Sequence, residues 1–262
     1  EDSMEILDGL KVIDASQFNA GPIVSLYLAG YGADVIKVER PGGEDSRAIG
    51  PFKGGESSYF MSLNRGKRSI TVNLKSPGGV EMFKRLARSA DVVVENYLPG
   101  VMDRLGVGYD ALRLENPGLI YGAVSGFGQR GPSARRPAFD SLLQAAGGLI
   151  SVTGPVGGPP VRVGVSIVDI TSGLFLLSGI LSALWQRERT GEGRRVDVSM
   201  LASTVNIMEN PVARHSFEGK VPVPEGLSHP VVSPFSGYRT RDGLIFVAIS
   251  NTNRYRVLME AL

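Results

Sequence analysis

The feature that constrains the fold most is a repeated alternation of short β-branched runs with helical segments. Leu10-Lys11-Val12-Ile13-Asp14-Ala15 has the composition of a buried strand. Ala20-Gly21-Pro22 opens a helix to about Gly30, with proline in the first turn, where no backbone N–H is needed. Gly32 turns the chain into a second strand, Ala33 to Glu39. Ser69 to Lys75, Asp91 to Tyr97, Leu119 to Ser125 and Arg194 to Met200 are further strands. Helices follow from Ser76-Pro77 to about Ser89, after Leu98-Pro99-Gly100, from Phe139 to Leu149, and from Leu201 to Glu209. Strand, helix, strand at this spacing is the βαβ unit, which implies an α/β fold on a parallel sheet. Residues 40–68 and the basic, glycine-rich segment Gly126 to Arg136 read as loops.

Domain organisation follows from a shift in composition. Residues 1–210 carry the α/β pattern and form a large domain. Residues 211–234 hold Pro211, Pro222, Pro224, Pro230 and Pro234 with little apolar periodicity, so they read as a linker or an irregular wrapping segment. Residues 235–262 begin a second, small domain: Phe235 to Arg239 and Gly243 to Ile249 pair as strands, and a helix starts near Asn253.

One stretch brings the backbone to a single carboxylate: Gly164-Val165-Ser166-Ile167-Val168-Asp169-Ile170-Thr171-Ser172-Gly173. Leu174, Leu177, Leu181 and Leu184 then recur at helical steps, widened by Ile180 and Trp185, until Thr190-Gly191-Glu192-Gly193 stops the helix. Asp169 is placed at or just before the helix N-terminus, and two roles are open to it there. As an N-cap it would accept from first-turn N–H groups, worth ~1 kcal/mol. As a nucleophile it needs no base, because a carboxylate with a reference pKa of ~3.9 is ionised near pH 7. Position alone does not separate the two.

Several classes of chemistry are excluded. Cysteine is absent, which removes disulfides, thiolate metal sites and cysteine nucleophiles. His215 and His229 are the only histidines, and their spacing fits no metal motif. A formal charge of +2 argues against a nucleic-acid or membrane-surface partner. The acidic start, Glu1-Asp2-Ser3-Met4-Glu5, is unlike a signal peptide, and no apolar run reaches the ~20 residues of a membrane span. The expected location is therefore the cytoplasm. Glu39 ends the second strand where a dinucleotide fold keeps its ribose-binding acid. The preceding turn, Ser16-Gln17-Phe18-Asn19-Ala20-Gly21-Pro22, lacks the G-x-G-x-x-G glycines, however, which argues against a nicotinamide cofactor.

Arg40, Arg47, Lys67, Arg68, Lys75, Arg104 and Arg136 lie mostly just after expected strands, at the end of an open sheet where ligands bind. Such a set suits a phosphorylated ligand, arginine by bidentate contact and lysine as a point charge.

Six segments in order resemble the class III CoA-transferases, a family that includes formyl-CoA transferase, carnitine CoA-transferase and α-methylacyl-CoA racemase. They are Leu7 to Asp14, Gly32 to Pro41, Asn64 to Ser69, Val92 to Tyr97, Ser125 to Gly128 and Val168 to Gly173. The resemblance implies a Rossmann-like large domain, a small domain only partly present here, and two chains interlocked as a homodimer. It implies coenzyme A or acyl-CoA as substrate, a carboxylic acid as acceptor, and no metal or prosthetic group. Asp169 matches the catalytic aspartate. Asn19 and Ala20 match a segment near the thioester. Arg40, Val72, Asn73, Leu74, Lys75, Asn96, Tyr97, Leu98, Arg104 and Arg136 match positions that bind CoA.

The implied chemistry is a covalent relay through an aspartyl anhydride and an aspartyl-CoA thioester, with no net redox step. Backbone N–H groups near Ser172-Gly173, or glycines of a mobile loop, would steady the oxyanion. The racemase branch carries a histidine immediately before the aspartate that aligns with Asp140; here Phe139 stands there and cannot move a proton. A non-catalytic CoA-binding protein is the third alternative, since family chains continue well past the length of this one.

Overall fold

The computed structural model describes residues 5–262. Six strands form one parallel sheet: β1 (Lys11–Asp14), β2 (Asp34–Glu39), β3 (Arg68–Thr71), β4 (Val92–Glu95), β5 (Ile120–Ser125) and β6 (Arg195–Ser199). Their order is β3-β2-β1-β4-β5-β6, the doubly wound arrangement in which the winding reverses between β1 and β4. Ile13 lies opposite Ile36 on one side and Val93 on the other, so the middle of β1 is flanked by apolar residues, while Asp14 at its end lies opposite Lys37. Every residue of β4 and β5 is buried, as expected of strands covered on both faces.

Each face of the sheet carries its own core. On one side α1 (Pro22–Gly30) and α7 (Ile167–Thr190) pack Val24, Leu28, Leu176 and Ile180 over Val12, Val94 and Ile120. On the other, Phe83 and Ala87 of α3 (Pro77–Arg88), with Met102 of α4 (Val101–Arg104) and Leu112 of α5 (Tyr109–Leu112), cover Ile13, Val93 and Tyr121. Gly173 lets α7 approach α1, since a Cβ there would overlap Ile23. Gly122 of β5 does the same against Ile180 and Leu176.

The structure amends several sequence expectations. Residues 40–68 are not mere loop: they hold a 3₁₀ turn (Asp45–Ala48), a two-residue strand pair (Phe52–Lys53 with Glu56–Ser57) and α2 (Ser58–Asn64). The Ser57 hydroxyl caps α2 by accepting from the Phe60 N–H at 3.1 Å. The strand placed at Ser69 to Lys75 ends at Thr71, because the Asn73 carboxamide accepts the Lys75 N–H and turns the chain. The buried side of α7 is carried by Leu176, Leu177, Ile180 and Ala183, while Leu174 (41% exposed) and Trp185 (65%) face outward. This helix is apolar nearly all round, so periodicity marks its existence better than its inner face. It is also long and apolar enough to cross a membrane, contrary to the expectation of no such run. Its packing against α1, β5, β6 and α8 (Met200–Asn206) accounts for the apolar residues of its inner face, but not for those that face outward.

The chain divides into two compact units, and the division differs from a single cut near residue 210. The first runs to Leu143 and resumes at Val165–Ile207; the second comprises Gln144–Gly164 and Met208–Leu262. Within the second, α9 (Glu209–Glu218) occupies the first part of the segment expected to be irregular. Pro211 is the third residue of α9, where a missing N–H costs no intrahelical bond. The strands β7 (Phe235–Arg239) and β8 (Leu244–Ala248) pair antiparallel, with Phe235 and Phe246 edge-on at 5.9 Å, and α10 (Thr252–Ala261) follows.

Candidate active site

The winding reversal opens a crevice beyond the carboxyl ends of β1 and β4, and a cavity of about 290 Å³ lies there. The loop after β1 supplies Gln17, Phe18, Asn19 and Ala20; the loop after β4 supplies Asn96, Tyr97 and Leu98. Val124, Ser125 and Gly126 close it from β5, Met200 from α8, and Asp169 from the first turn of α7. One nucleophile candidate and five expected ligand-binding residues thus share one wall.

Asp169 is the third residue of α7, not its N-cap; Ser166 occupies that position. The capping acceptor comes from elsewhere: Asp140, the first residue of α6 (Asp140–Ala146), accepts the Val168 N–H at 2.8 Å and the Asp169 N–H at 3.3 Å. The Ile167 and Ile170 N–H groups are bound to the Val165 and Ser166 carbonyls. All four first-turn donors are therefore committed. Ser172 and Gly173 lie in the second turn, where N–H groups serve the helix itself, so none of these amides remains for an oxyanion. Two buried polar atoms of the cavity wall do lack a partner among the described residues, Asn19 Oδ1 and Ser125 Oγ.

Burial, reinforced by the nearby Asp140 carboxylate, pushes the Asp169 pKa up to about 7. The expectation of a fully ionised carboxylate at neutral pH is thereby corrected: desolvation and a like charge outweigh the helix N-terminus. Tyr59 of α2 senses the same charge; burial first, and Asp169 next, raise its phenol to about 12. Tyr59 does not stand out in sequence, being a single polar position that only the packing of α2 brings to α7. Asp140, which aligns with the racemase aspartate, is expected from sequence to be a helix N-cap or a structural hydrogen-bond acceptor, and it accepts the first-turn N–H groups of α7.

The basic set divides in two. Four members pair with carboxylates, Lys67 and Arg47 within the fold and Arg68 and Arg40 in exposed surface pairs. Arg47 forks onto Glu39 with two 2.7 Å bonds and stacks 3.7 Å over the Phe60 ring. Lys67 is buried against Asp14 at 2.9 Å. Arg68 grips Asp34, and Arg40 pairs with Asp45. Although burial opposes it, the contacts from Arg47 and Ser69 hold the Glu39 carboxyl down at about 2, so this residue is consumed within the fold. Lys75, Arg104 and Arg136 are exposed and have no carboxylate partner among the described residues; Arg136 lies 5.5 Å from the Phe127 ring.

The remaining expected positions differ in what they offer. Val72 is buried in the core and its N–H is bound to the Glu39 carbonyl, so its side chain is not a ligand contact. Leu74 packs against the same core. The Asn96 carboxamide is engaged twice with Gln17, accepting its N–H at 2.8 Å and donating to its carbonyl at 2.7 Å. Asn96 thus shapes the loop after β1. None of Arg40, Asn73, Lys75, Arg104 or Arg136 lines the cavity itself.

Beneath the cavity lies a buried ionic cluster. Asp14 ends β1 and accepts from the Ser16 N–H, the Ser25 hydroxyl and Lys67. Burial alone would raise its pKa, but Lys67, Lys37 and two serine hydroxyls hold it well below the usual carboxylate range.

The fold and site define an α/β protein with a cavity at the switch point of its parallel sheet and one half-buried carboxylate, Asp169, on the cavity wall. CoA-transferase family III matches residues 7–262, and the chain belongs to that family. It is 43% identical to an acetyl-CoA:oxalate CoA-transferase of Acetobacter aceti over 97% of its length. It is 40% identical to a succinyl-CoA:glutarate CoA-transferase of Mus musculus over 100% of its length. The chain spans 66% and 60% of the lengths of these curated relatives. Among solved structures, a CAIB/BAIF family protein from Brucella suis superposes with a TM-score of 0.89 at 38% identity, covering 98% of this chain and 69% of that one.

Proposed function

We propose that the protein is a CoA-transferase that moves CoA from an acyl-CoA to a carboxylic acid, with Asp169 as the nucleophile. The observation that carries this reading is a single half-buried carboxylate, Asp169, lining the switch-point cavity of a chain that belongs to CoA-transferase family III.

An Asp169 carboxylate oxygen attacks the thioester carbonyl carbon. The C–S bond breaks, CoA leaves as thiolate, and an aspartyl mixed anhydride remains. The thiolate attacks the aspartyl carbonyl, expels the donor acid as carboxylate and leaves an aspartyl-CoA thioester. The acceptor carboxylate attacks that thioester and again frees the thiolate. The thiolate then takes the acceptor acyl group and restores Asp169. No water or electron enters, and each step exchanges one oxygen or sulfur leaving group at an acyl carbon.

The Ser125 hydroxyl and the Asn19 Nδ2 amide are the donors proposed to meet the developing oxyanion, in place of helix amides; the unpartnered Asn19 Oδ1 is an acceptor and does not serve in that role. Lys75, Arg104 and Arg136, with Arg40 in its exposed pair, are the cations available to CoA phosphates. The two relatives are named for oxalate and glutarate, both dicarboxylic acids; the proposed acceptor is a short dicarboxylate and the donor acetyl- or succinyl-CoA. The working form is a homodimer, as the resemblance implies, and the second compact unit belongs to the family's small domain. α-Carbon racemisation is disfavoured, because Phe139 offers no proton shuttle beside the cavity.

The test is CoA exchange between labelled acyl-CoAs and dicarboxylates by the full-length protein. Wild type is expected to exchange and Asp169→Ala to lose exchange while still binding CoA. Full exchange by Asp169→Ala sinks the reading. Binding without exchange by wild type replaces it with a non-catalytic CoA-binding role.

A further inference from the structure

Phe18 is the one non-glycine residue with a left-handed backbone among the described residues, at φ 62°. An aromatic side chain disfavours that region, so the surrounding structure must hold it there. The cavity wall depends on the result. The Phe18 ring meets Phe139 edge-on at 6.1 Å, both rings line the cavity, and Asn19 follows, only 7% exposed, with Oδ1 unpartnered among the described residues.

Three contacts hold the loop. Asn96 closes its two-bond clamp on Gln17. Lys37 donates to the Ser16 carbonyl at 2.9 Å. Glu44, 6% exposed, accepts the Phe18 N–H itself at 2.9 Å. The other Glu44 carboxylate oxygen stands 2.5 Å from Lys37 Nζ, which in turn is 3.7 Å from Asp14. Glu39 accepts the Glu44 N–H at 3.0 Å, so the backbone of Glu44 is tethered to the end of β2. A buried ion pair anchored at both ends thus stops on one peptide, the left-handed one.

We infer that Glu44, held by Lys37, is a positioning residue: it fixes the left-handed Phe18 peptide and so presents Asn19 to the cavity lined by Asp169. Its effect on turnover rests on the reading of Asp169 as nucleophile; its effect on backbone geometry does not.

The test is a double-mutant cycle in the full-length protein, with Glu44→Ala, Phe18→Gly and both together. Glycine takes positive φ without restraint. Glu44→Ala is expected to lower kcat roughly tenfold, with a smaller change in KM for acyl-CoA, as the left-handed form loses its support. The same change in the Phe18→Gly background is expected to cost less than about threefold. Glu44→Gln retains an oxygen acceptor for the Phe18 N–H and is expected to rescue most of the loss. Equal losses in both backgrounds overturn the inference, because a purely structural ion pair would not depend on residue 18.

A crystal structure of Glu44→Ala gives the second readout. Phe18 leaving the left-handed region supports the inference, and φ remaining near its present value overturns it. If wild type exchanges no CoA, the Asp169 reading fails and this geometric readout alone decides. If Glu44→Ala does not fold, Lys37→Met/Glu44→Met replaces the ion pair with apolar side chains of similar length and is read in the same way.

Discussion

Replacing Asp169 with asparagine should make the protein more stable, and only above a definite pH. The carboxyl is neutral at low pH in both folded and unfolded chains. Its pKa rises from 3.8 to about 7 on folding, through burial and then Asp140. Between those values the folded state binds more protons than the unfolded state, so stability falls as pH rises through the window. At 1.36 kcal/mol per unit, the whole shift corresponds to about 4 kcal/mol at most. Asparagine bears no charge and escapes that loss. Chemical denaturation of wild type and Asp169→Asn at several values from pH 4 to pH 8 measures it. The two proteins should be closely matched near pH 4 and diverge by several kcal/mol by pH 8, with Asp169→Asn the more stable. A constant difference across the range would refute the burial and like-charge account of Asp169.

Asp140→Ala removes the acceptor of the Val168 and Asp169 N–H groups. It should cost about 1–2 kcal/mol by the usual measure of a lost cap, and the Asp169 carboxyl should titrate lower when followed by NMR. Gly173→Val drives a side chain into Ile23 across the α1–α7 contact. It should lower stability by about 1–3 kcal/mol, seen as a fall in Tm.

The sheet was legible because its strands are short, strongly β-branched and punctuated by Gly and Pro. Val92 to Glu95 and Ile120 to Ser125 have no competing pattern, and their neighbours in the order follow from βαβ winding. The helix α2 was not legible, since seven residues give too few turns for a period to declare itself. The inner face of α7 was hidden for the opposite reason: Leu174 and Trp185 are as apolar as Leu176 and Ile180, and only packing against β5 chooses between them.

Among site residues, Asp169 was found through its neighbours in sequence and its match to a family motif. Its protonation was not, because the raised pKa comes first from burial by the packed fold and then from Asp140, a residue on another helix. The basic loops misled for a related reason. A sequence shows Arg47 and Lys67 as cations, but whether Glu39 and Asp14 consume them depends on the chain returning beneath the crevice. Lys75, Arg104 and Arg136 escape that fate and, with Arg40 in its exposed pair, remain the cations open to a phosphate.

If Asp169 is the nucleophile, it becomes covalently bonded during turnover. Intact mass of the full-length protein after incubation with acetyl-CoA or succinyl-CoA, with trapping by hydroxylamine or borohydride and peptide mapping, measures that bond. The account requires a modification on the peptide carrying Asp169, absent from Asp169→Asn. CoA exchange proceeding with that peptide unmodified would contradict it.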